Sequence, residues 1–391
     1  MDVCVRYHEL ALKKKNRPWF IRHLMDNLRH ATRDLPERKV WLGAEYIGLH
    51  VEDDSLWPIV QKRVQDTMGI AKYFRARLMP LDLDSVEILI KDYLQDKEFG
   101  SFRISAHRAN KNFPVKSDEI NRRLGKSVQG MTGARVDLKA PELEISIDVL
   151  HKEILVYFGT HPGYGGLPVG VSGHVAVMMS GGIDSPIAAW HMMKRGCRVS
   201  LVHFHSYPLA DMSTINKAAE LADIIARFQG HTNLYLVPLA EVQKHIIVNT
   251  PSEFRVILYR RFMLRIAEEI AKQRGAKGLV TGDSLGQVSS QTLENIAVVD
   301  EVASLPVFRP LIGQNKQEIV DLARRIETFQ VSIQPDQDCC TLFIPRKVTT
   351  HADPDVVHRI EEKLPVDEMV AEAVKGVEKR EFDFPEMSTQ N

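Results

Sequence analysis

The chain has few cysteines, and its four, Cys4, Cys197, Cys339 and Cys340, include no C-x-x-C pair. That absence excludes a zinc ribbon and the usual cluster-binding spacing, and no protein metal-ligand set is expected. No apolar run approaches the length of a membrane span. The opening MDVCVRYHEL has neither a hydrophobic signal core nor a small-residue cleavage site. A cytoplasmic protein with no membrane partner is therefore expected, and two adjacent cysteines in a reducing compartment point to reactivity rather than scaffold. A net charge of one sign is also missing, because 51 Lys and Arg balance 51 Asp and Glu. The distribution is less even: residues 1–40 carry ten basic and five acidic side chains, 101–140 carry nine and three, and 351–391 carry five and eleven. The basic surplus sits in the amino-terminal part.

What is present bounds the architecture. The 391 residues, 44% hydrophobic and 26% charged, suffice for two or three domains and exclude disorder as the whole account. VCVRY, a helix after Asn16, VWLGAEYIGLHVE, a helix near Ser55 and KYFRARL predict a small α+β, ferredoxin-like unit. A second unit follows: a helix from Ser85, the strand SFRISAHRA, a helix from Ser117, and a hairpin of ELEISIDV with ILVYFG. In ELEISIDV, Leu143, Ile145, Ile147 and Val149 alternate with polar residues, the period of a half-buried strand. THPGYGGLPVG reads as the linker. From His174 the pattern becomes strand, helix, strand, helix, through VAVMM, RVSLVHF, LYLVPL and KGLVTG, with helices from Ser185, Ser213, Ser252 and Asn315. That order predicts a doubly wound parallel sheet, and the acidic tail after residue 350 predicts one or two peripheral helices. The expected division is 1–60, 61–165 and 166–391.

The strongest local signal is SGGIDSP, residues 180–186, directly after VAVMM and directly before a helix. Gly181 and Gly182 allow a tight turn and close approach of a ligand, Ser185 suits an N-cap, and Pro186 suits the first helical position. Free amides and the positive end of the helix dipole then face an anion. The loop lacks the lysine and the spacing of G-x-x-x-x-G-K-[ST]. An ordinary serine-capped turn is the other reading, with Asp184 then a surface residue.

The loop resembles that of the N-type ATP pyrophosphatases (PP-loop enzymes). Together with TGDSLGQVSSQT at 281–292, FRPLIG-x-NK at 308–316 and DCCTLFIP at 338–345, it is similar to one group of them, the ThiI-type tRNA sulfurtransferases or tRNA 4-thiouridine synthases. The likeness begins with RYHELALKKKNR, continues through RANKNFPVKSDEINRRLG and VDLKAPELEISI in an RNA-binding THUMP domain, and includes GGLPVG. It implies a tRNA uracil 4-sulfurtransferase that adenylates uridine 8 of tRNA with ATP and Mg2+ and displaces AMP with sulfur. It places Met178, Met179, Ser180, Gly181, Gly182, Asp184, Ser185, His203, Phe204, Arg260, Gly282 and Gln291 around ATP, with Arg261 a second choice beside Arg260. Asp184 would help place magnesium, and Lys316 would stabilise charge on the phosphate.

By the same resemblance Cys339 carries the persulfide, and its neighbour Cys340 is a candidate resolving thiol. Cys4 and Cys197 read as core packing. Family members with a rhodanese domain hold a persulfide cysteine there; this chain is too short for one, so a cysteine desulfurase or a separate rhodanese is the implied donor. Lys13, Lys14, Lys15 and Arg17, close to Trp19 and Phe20, and Arg103, Arg108, Lys111 and Lys116, around Phe113, are the expected tRNA contacts. The family also implies a thiamine-pathway sulfur-carrier protein as acceptor and a tendency to form a homodimer. Two alternatives stay open: a non-catalytic tRNA-binding protein, and a PP-loop enzyme acting on a different tRNA base.

Overall fold

A computed structural model describes residues 1–335 and 349–385. In the amino-terminal stretch, β1 (Asp2–Arg6), α1 (Arg17–Ala31), β2 (Lys39–Leu42), β3 (Ile47–His50), α2 (Trp57–Asp66) and β4 (Lys72–Met79) follow one another. The segment expected as one strand, VWLGAEYIGLHVE, folds back on itself because Gly43 donates its amide to the Tyr46 carbonyl at 2.9 Å, pairing Leu42 with Ile47. The added strand completes the βαββαβ order of a ferredoxin-like fold.

The chain continues through α3 (Leu83–Leu94), β5 (Ser101–Arg108), α4 (Ser117–Thr132), β6 (Arg135–Val136), β7 (Leu143–Val149), β8 (Ile154–Phe158) and β9 (His161–Pro162). Ile145, Ile147 and Val149 are buried against Ile120, Leu124 and Val128 of α4, but Ser146 and Asp148 on the opposite face are buried as well, so the strand expected to be half-buried is covered on both faces. The strands form one sheet in the order β2-β3-β1-β4-β8-β7-β5-β6, with β9 on β4. Ala76 of β4 pairs with Asp2 on one side and Tyr157 on the other. The stretch expected as a linker is held by hydrogen bonds: Gly163 and Gly165 donate to Ala71 and Ile70, and Gly170 donates to Gly196. The chain divides within it, into the compact units Met1–Gly166 and Leu167–Asn391.

The second unit begins β10 (His174–Met178), α5 (Asp184–Lys194), β11 (Arg198–His205), α6 (Ser213–Gln229), β12 (His231–Pro238), α7 (Ala240–Asn249), α8 (Arg255–Gln273) and β13 (Leu279–Val280). It continues with α9 (Leu293–Asp300), β14 (Val307–Phe308), α10 (Lys316–Arg325), α11 (Phe329–Ser332), α12 (Pro354–Glu361), α13 (Val366–Lys375) and β15 (Glu378–Asp383). The strand order is β14-β13-β10-β11-β12-β15, parallel except for β15, which runs antiparallel to β12. Near-continuous apolar runs in β10, β11 and β12 fit strands covered on both faces. The acidic tail thus supplies two helices, as expected, and a strand that was not. Its charged residues Glu378, Lys379, Arg380 and Glu381 suit an edge, where charge discourages further pairing. No helix among the described residues is long and apolar enough to cross a membrane.

One buried ion network ties the tail helices to the core. Arg261, on α8, meets the Glu361 carboxylate through two hydrogen bonds of 2.9 and 2.8 Å, and Arg265 approaches the same group at 2.7 Å. Burial raises the Glu361 pKa, but the two guanidiniums outweigh burial and bring it down to about 2. Because the folded value lies below the ordinary 4.5, the stabilisation is whole above that pH and is lost as pH falls toward 2. Glu361→Ala is expected to cost about 3 kcal/mol, because it takes a paired carboxylate from the buried Arg261, whose Nη1 keeps Glu301 and the Val298 carbonyl, and from Arg265. Urea denaturation at pH 7 measures this, and an unchanged midpoint would contradict it.

Candidate functional site

The strand order reverses at β10, whose neighbours are β11 and β13. In open α/β sheets that point, beyond the carboxyl ends of the strands, is where a crevice opens for a ligand. The loop 180–183 leaves β10 there and enters α5. Its hydrogen bonds are mainly internal: the Ser180 amide donates to Ser185 Oγ at 2.9 Å, the Gly182 amide reaches Ser180 Oγ at 3.3 Å, and Ser185 Oγ donates to the Ser180 carbonyl at 3.1 Å; another comes from Ser332 Oγ to the Gly182 carbonyl at 3.4 Å.

Two expectations for this loop change. The helix starts at Asp184, so Ser185 lies inside the first turn and its hydroxyl closes the loop instead of capping the helix. Neither Gly181 nor Gly182 takes a left-handed φ, and a Cβ at Gly182 would only touch Ser180 Oγ at 3.5 Å. Backbone conformation therefore requires glycine at neither position, and neither glycine lines the adjacent cavity.

A cavity of about 290 Å³ opens beside the loop, lined by Met178, Met179, Ser180, Asp184, Ser185, His203, Phe204, Arg260, Gly282 and Gln291, among others. Residues from β10, β11, α8 and the loop after β13 thus converge, although more than a hundred positions separate Met178 from Gln291 in the sequence. His203 is buried, with Nδ1 2.9 Å from the Met179 carbonyl oxygen. Gly282 is the tightest point: a Cβ there would lie 2.8 Å from the Ser185 nitrogen and 2.9 Å from the Asp184 carbonyl carbon. Lys316, the first residue of α10, donates to Asp184 Oδ1 at 2.8 Å, and Gln287 donates to Oδ2 at 2.9 Å. The capping box of Asn315 and Glu318 fixes the helix start from which Lys316 reaches.

The structure separates the two arginine candidates. Arg260 lines the cavity, while Arg261 is spent on Glu361. Arg260 is held by Asp283, both of whose oxygens lie 2.7 Å from its Nη2. Asp283 also accepts from Thr281 Oγ1 at 2.8 Å, Gln291 Nε2 at 3.1 Å and Arg309 Nε at 3.2 Å. Burial raises its pKa, but Arg260, Thr281 and Arg309 together bring it below the ordinary value. Sequence reasoning assigned no role to Asp283 or Arg309. Both lie in quoted motifs, and a buried-type spacing of Thr and Asp after a parallel strand was the available signal. Among the described residues no group of three or more His, Cys, Asp or Glu side chains is arranged to hold a metal.

In the first unit, Lys14, Lys15, Lys111 and Lys116 are exposed, and Lys13 lies 5.1 Å from the centre of the Phe20 ring. Arg17 donates to the Tyr7 hydroxyl at 3.0 Å. Arg103 is bound to Glu144 at 2.7 Å and the Leu138 carbonyl at 2.9 Å, and Arg108 holds the Phe113 carbonyl at 2.8 Å. Phe113 is in the core and offers no ring for stacking. Cys339 and Cys340 lie outside the described residues.

A loop of this kind at the switch point of a doubly wound sheet defines a PP-loop protein. Three family models match in turn: the ThiI ferredoxin-like domain over residues 2–73, the THUMP domain over 81–158, and the thiamine biosynthesis protein (ThiI) over 170–366. A probable tRNA sulfurtransferase of Thermus thermophilus is 49% identical over 381 residues, covering 97% of this chain and 93% of that one. Its counterpart from Moorella thermoacetica is 39% identical, covering 96% of each. A crystal structure of a 4-thiouridine synthetase–RNA complex with bound ATP superposes with a TM-score of 0.89 at 31% identity, covering 98% of this chain and 99% of that one. The chain belongs to the ThiI family of tRNA sulfurtransferases.

Proposed function

We propose that this protein uses ATP to transfer sulfur from a persulfide donor to uridine 8 of tRNA, making 4-thiouridine, with Cys339 carrying the persulfide. The observation that supports it most is the convergence of the loop 180–185, Gly282, Arg260 and Gln291 on one cavity at the switch point. The fit to a nucleotide is physical as well as familial. The start of α5 brings the positive end of its dipole to the cavity wall through Asp184 and Ser185, Gly282 lets two backbone segments come close, and His203 and Phe204 sit near the end of β11. Bound ATP would supply an adenylate, turning a poor oxide leaving group into AMP.

The chain's own groups then have separate tasks. Asp184 is the carboxylate suited to a magnesium ion bound with the phosphates, since Mg2+ is usually held by one or two carboxylates plus substrate oxygens. Lys316, now paired with Asp184, brings a positive charge to the same spot. The exposed Lys14, Lys15, Lys111 and Lys116 suit the RNA backbone, whereas Arg103 and Arg108 are occupied within the fold. The target base must leave its stack to reach the cavity. A cysteine desulfurase or a separate rhodanese is the sulfur source in this reading. The family matched at 170–366 is a thiamine biosynthesis protein family, which supports a second role in thiamine synthesis, where a sulfur-carrier protein would be the acceptor.

The test is nucleoside mass spectrometry of unmodified tRNA incubated with the protein, ATP, magnesium, cysteine and a cysteine desulfurase. 4-Thiouridine is expected among the nucleosides, and mass spectrometry of ribonuclease fragments of the same tRNA is expected to place it at position 8. If tRNA binds but no thiolated nucleoside forms with any persulfide donor, the proposal is wrong.

A further inference from the structure

The Asp283 carboxylate has a second consequence, through Gln291. Oε1 of Gln291 is shielded from solvent and has no hydrogen-bond partner among the described residues, while Nε2 of the same amide donates to Asp283 Oδ1 at 3.1 Å. An orphaned buried acceptor in an otherwise satisfied fold needs an explanation. The side chain belongs to the cavity wall, and its backbone is pinned on both sides: the Gln291 amide donates to Val288 at 2.9 Å and its carbonyl accepts from Gly286 at 2.9 Å.

We infer that Asp283 is a positioning residue that fixes the Gln291 amide so that its carbonyl accepts a hydrogen bond from the ligand, making the cavity selective for a nucleotide that offers a donor at that point. This rests on the nucleotide reading of the site. A carboxylate accepts and does not donate, so the amide cannot flip without setting its carbonyl against Asp283. Asp283 stays ionised because Arg260, Thr281 and Arg309 outweigh its burial. The same carboxylate therefore holds two cavity residues at once, the Arg260 guanidinium and the Gln291 amide. The adenine amino group and the ribose hydroxyls are the donors a nucleotide carries, and both present the same chemistry to Oε1.

Titration calorimetry with ATP, purine riboside triphosphate, 2′-deoxy-ATP and 3′-deoxy-ATP separates these sources. The wild type is expected to bind one of the three analogues about tenfold more weakly than ATP, the size of one lost hydrogen bond. In Asp283→Asn, whose amide no longer dictates the orientation of its neighbour, that preference is expected to shrink to about threefold or less. Gln291→Met removes the acceptor, leaves the Asp283 cluster with its arginines, and is expected to erase the preference with the unfolding temperature unchanged. Equal binding of all four nucleotides by the wild type, or a preference that survives in both variants, overturns the inference alone. No binding of ATP by the wild type overturns the nucleotide reading and this inference together.

Discussion

A Cys339→Ala protein is expected to form no detectable 4-thiouridine, a loss of at least about a thousandfold, while still binding ATP and tRNA. The two described cysteines are unsuited to that role. Cys4 is fully buried in β1, and burial pushes its thiol far above the ordinary value. Cys197 is buried too, its thiol is likewise raised by burial, and its sulfur contacts the Ser172 carbonyl at 3.6 Å. The nucleophile and persulfide carrier must be a thiolate, so neither suits the reaction. That leaves the adjacent pair Cys339 and Cys340. If Cys340 resolves the persulfide, its thiolate attacks Cys339 Sγ, the outer sulfur leaves on uracil C4 and a Cys339–Cys340 disulfide forms for an added thiol reductant to reopen, so Cys340→Ser stalls before 4-thiouridine is released; full multiple-turnover activity would remove it from the mechanism. Nucleoside mass spectrometry at limiting and excess tRNA measures both variants, and 4-thiouridine from Cys339→Ala at wild-type rate would end the assignment.

Gly282→Ala is expected to weaken ATP binding about a hundredfold, the scale of an ångström-sized misplacement in a site. Gly282 does not have a left-handed φ, so its requirement is spatial. The new Cβ would meet the Ser185 nitrogen at 2.8 Å and the Asp184 carbonyl carbon at 2.9 Å, both main-chain atoms of the first turn of α5. A side chain could rotate away, but this backbone cannot move without carrying Asp184, and with it the contact to Lys316. Overpacking of this kind also costs about 1–3 kcal/mol of stability. Calorimetric titration and thermal unfolding read the two effects separately. Wild-type affinity in Gly282→Ala would mean that the close approach plays no part in binding.

The sequence was informative where a residue type has one evident use. Strand, SGG-x-DS and helix in register located the loop, and the alternation of Leu143, Ile145, Ile147 and Val149 located β7. It was uninformative where the fold decides between equals. Arg260 and Arg261 are neighbours of one type, and only the helix turn between them sends one to the cavity and the other to Glu361. Arg103 and Arg108 have the charge of RNA contacts, yet Glu144 and the Phe113 carbonyl, distant or cryptic in the sequence, occupy them. β15 was missed because EKREFD has an edge strand's charge and no buried periodicity, and α7 because it lies between two better-signalled elements. Asp283 was passed over because a lone aspartate after a strand does not reveal that two arginines converge on it.

The strand β4 belongs to two neighbourhoods at once. Its first half pairs with β1 of the ferredoxin-like segment, its second half with β8 of the THUMP segment, and Ala76 serves both. The family models end at residue 73 and resume at 81, so most of this strand falls in the gap between them. A genetic exchange that swapped either segment for a foreign one would have to cut through a strand or leave a raw edge in water. The two segments therefore share one continuous sheet, joined by hydrogen bonds rather than by a tether.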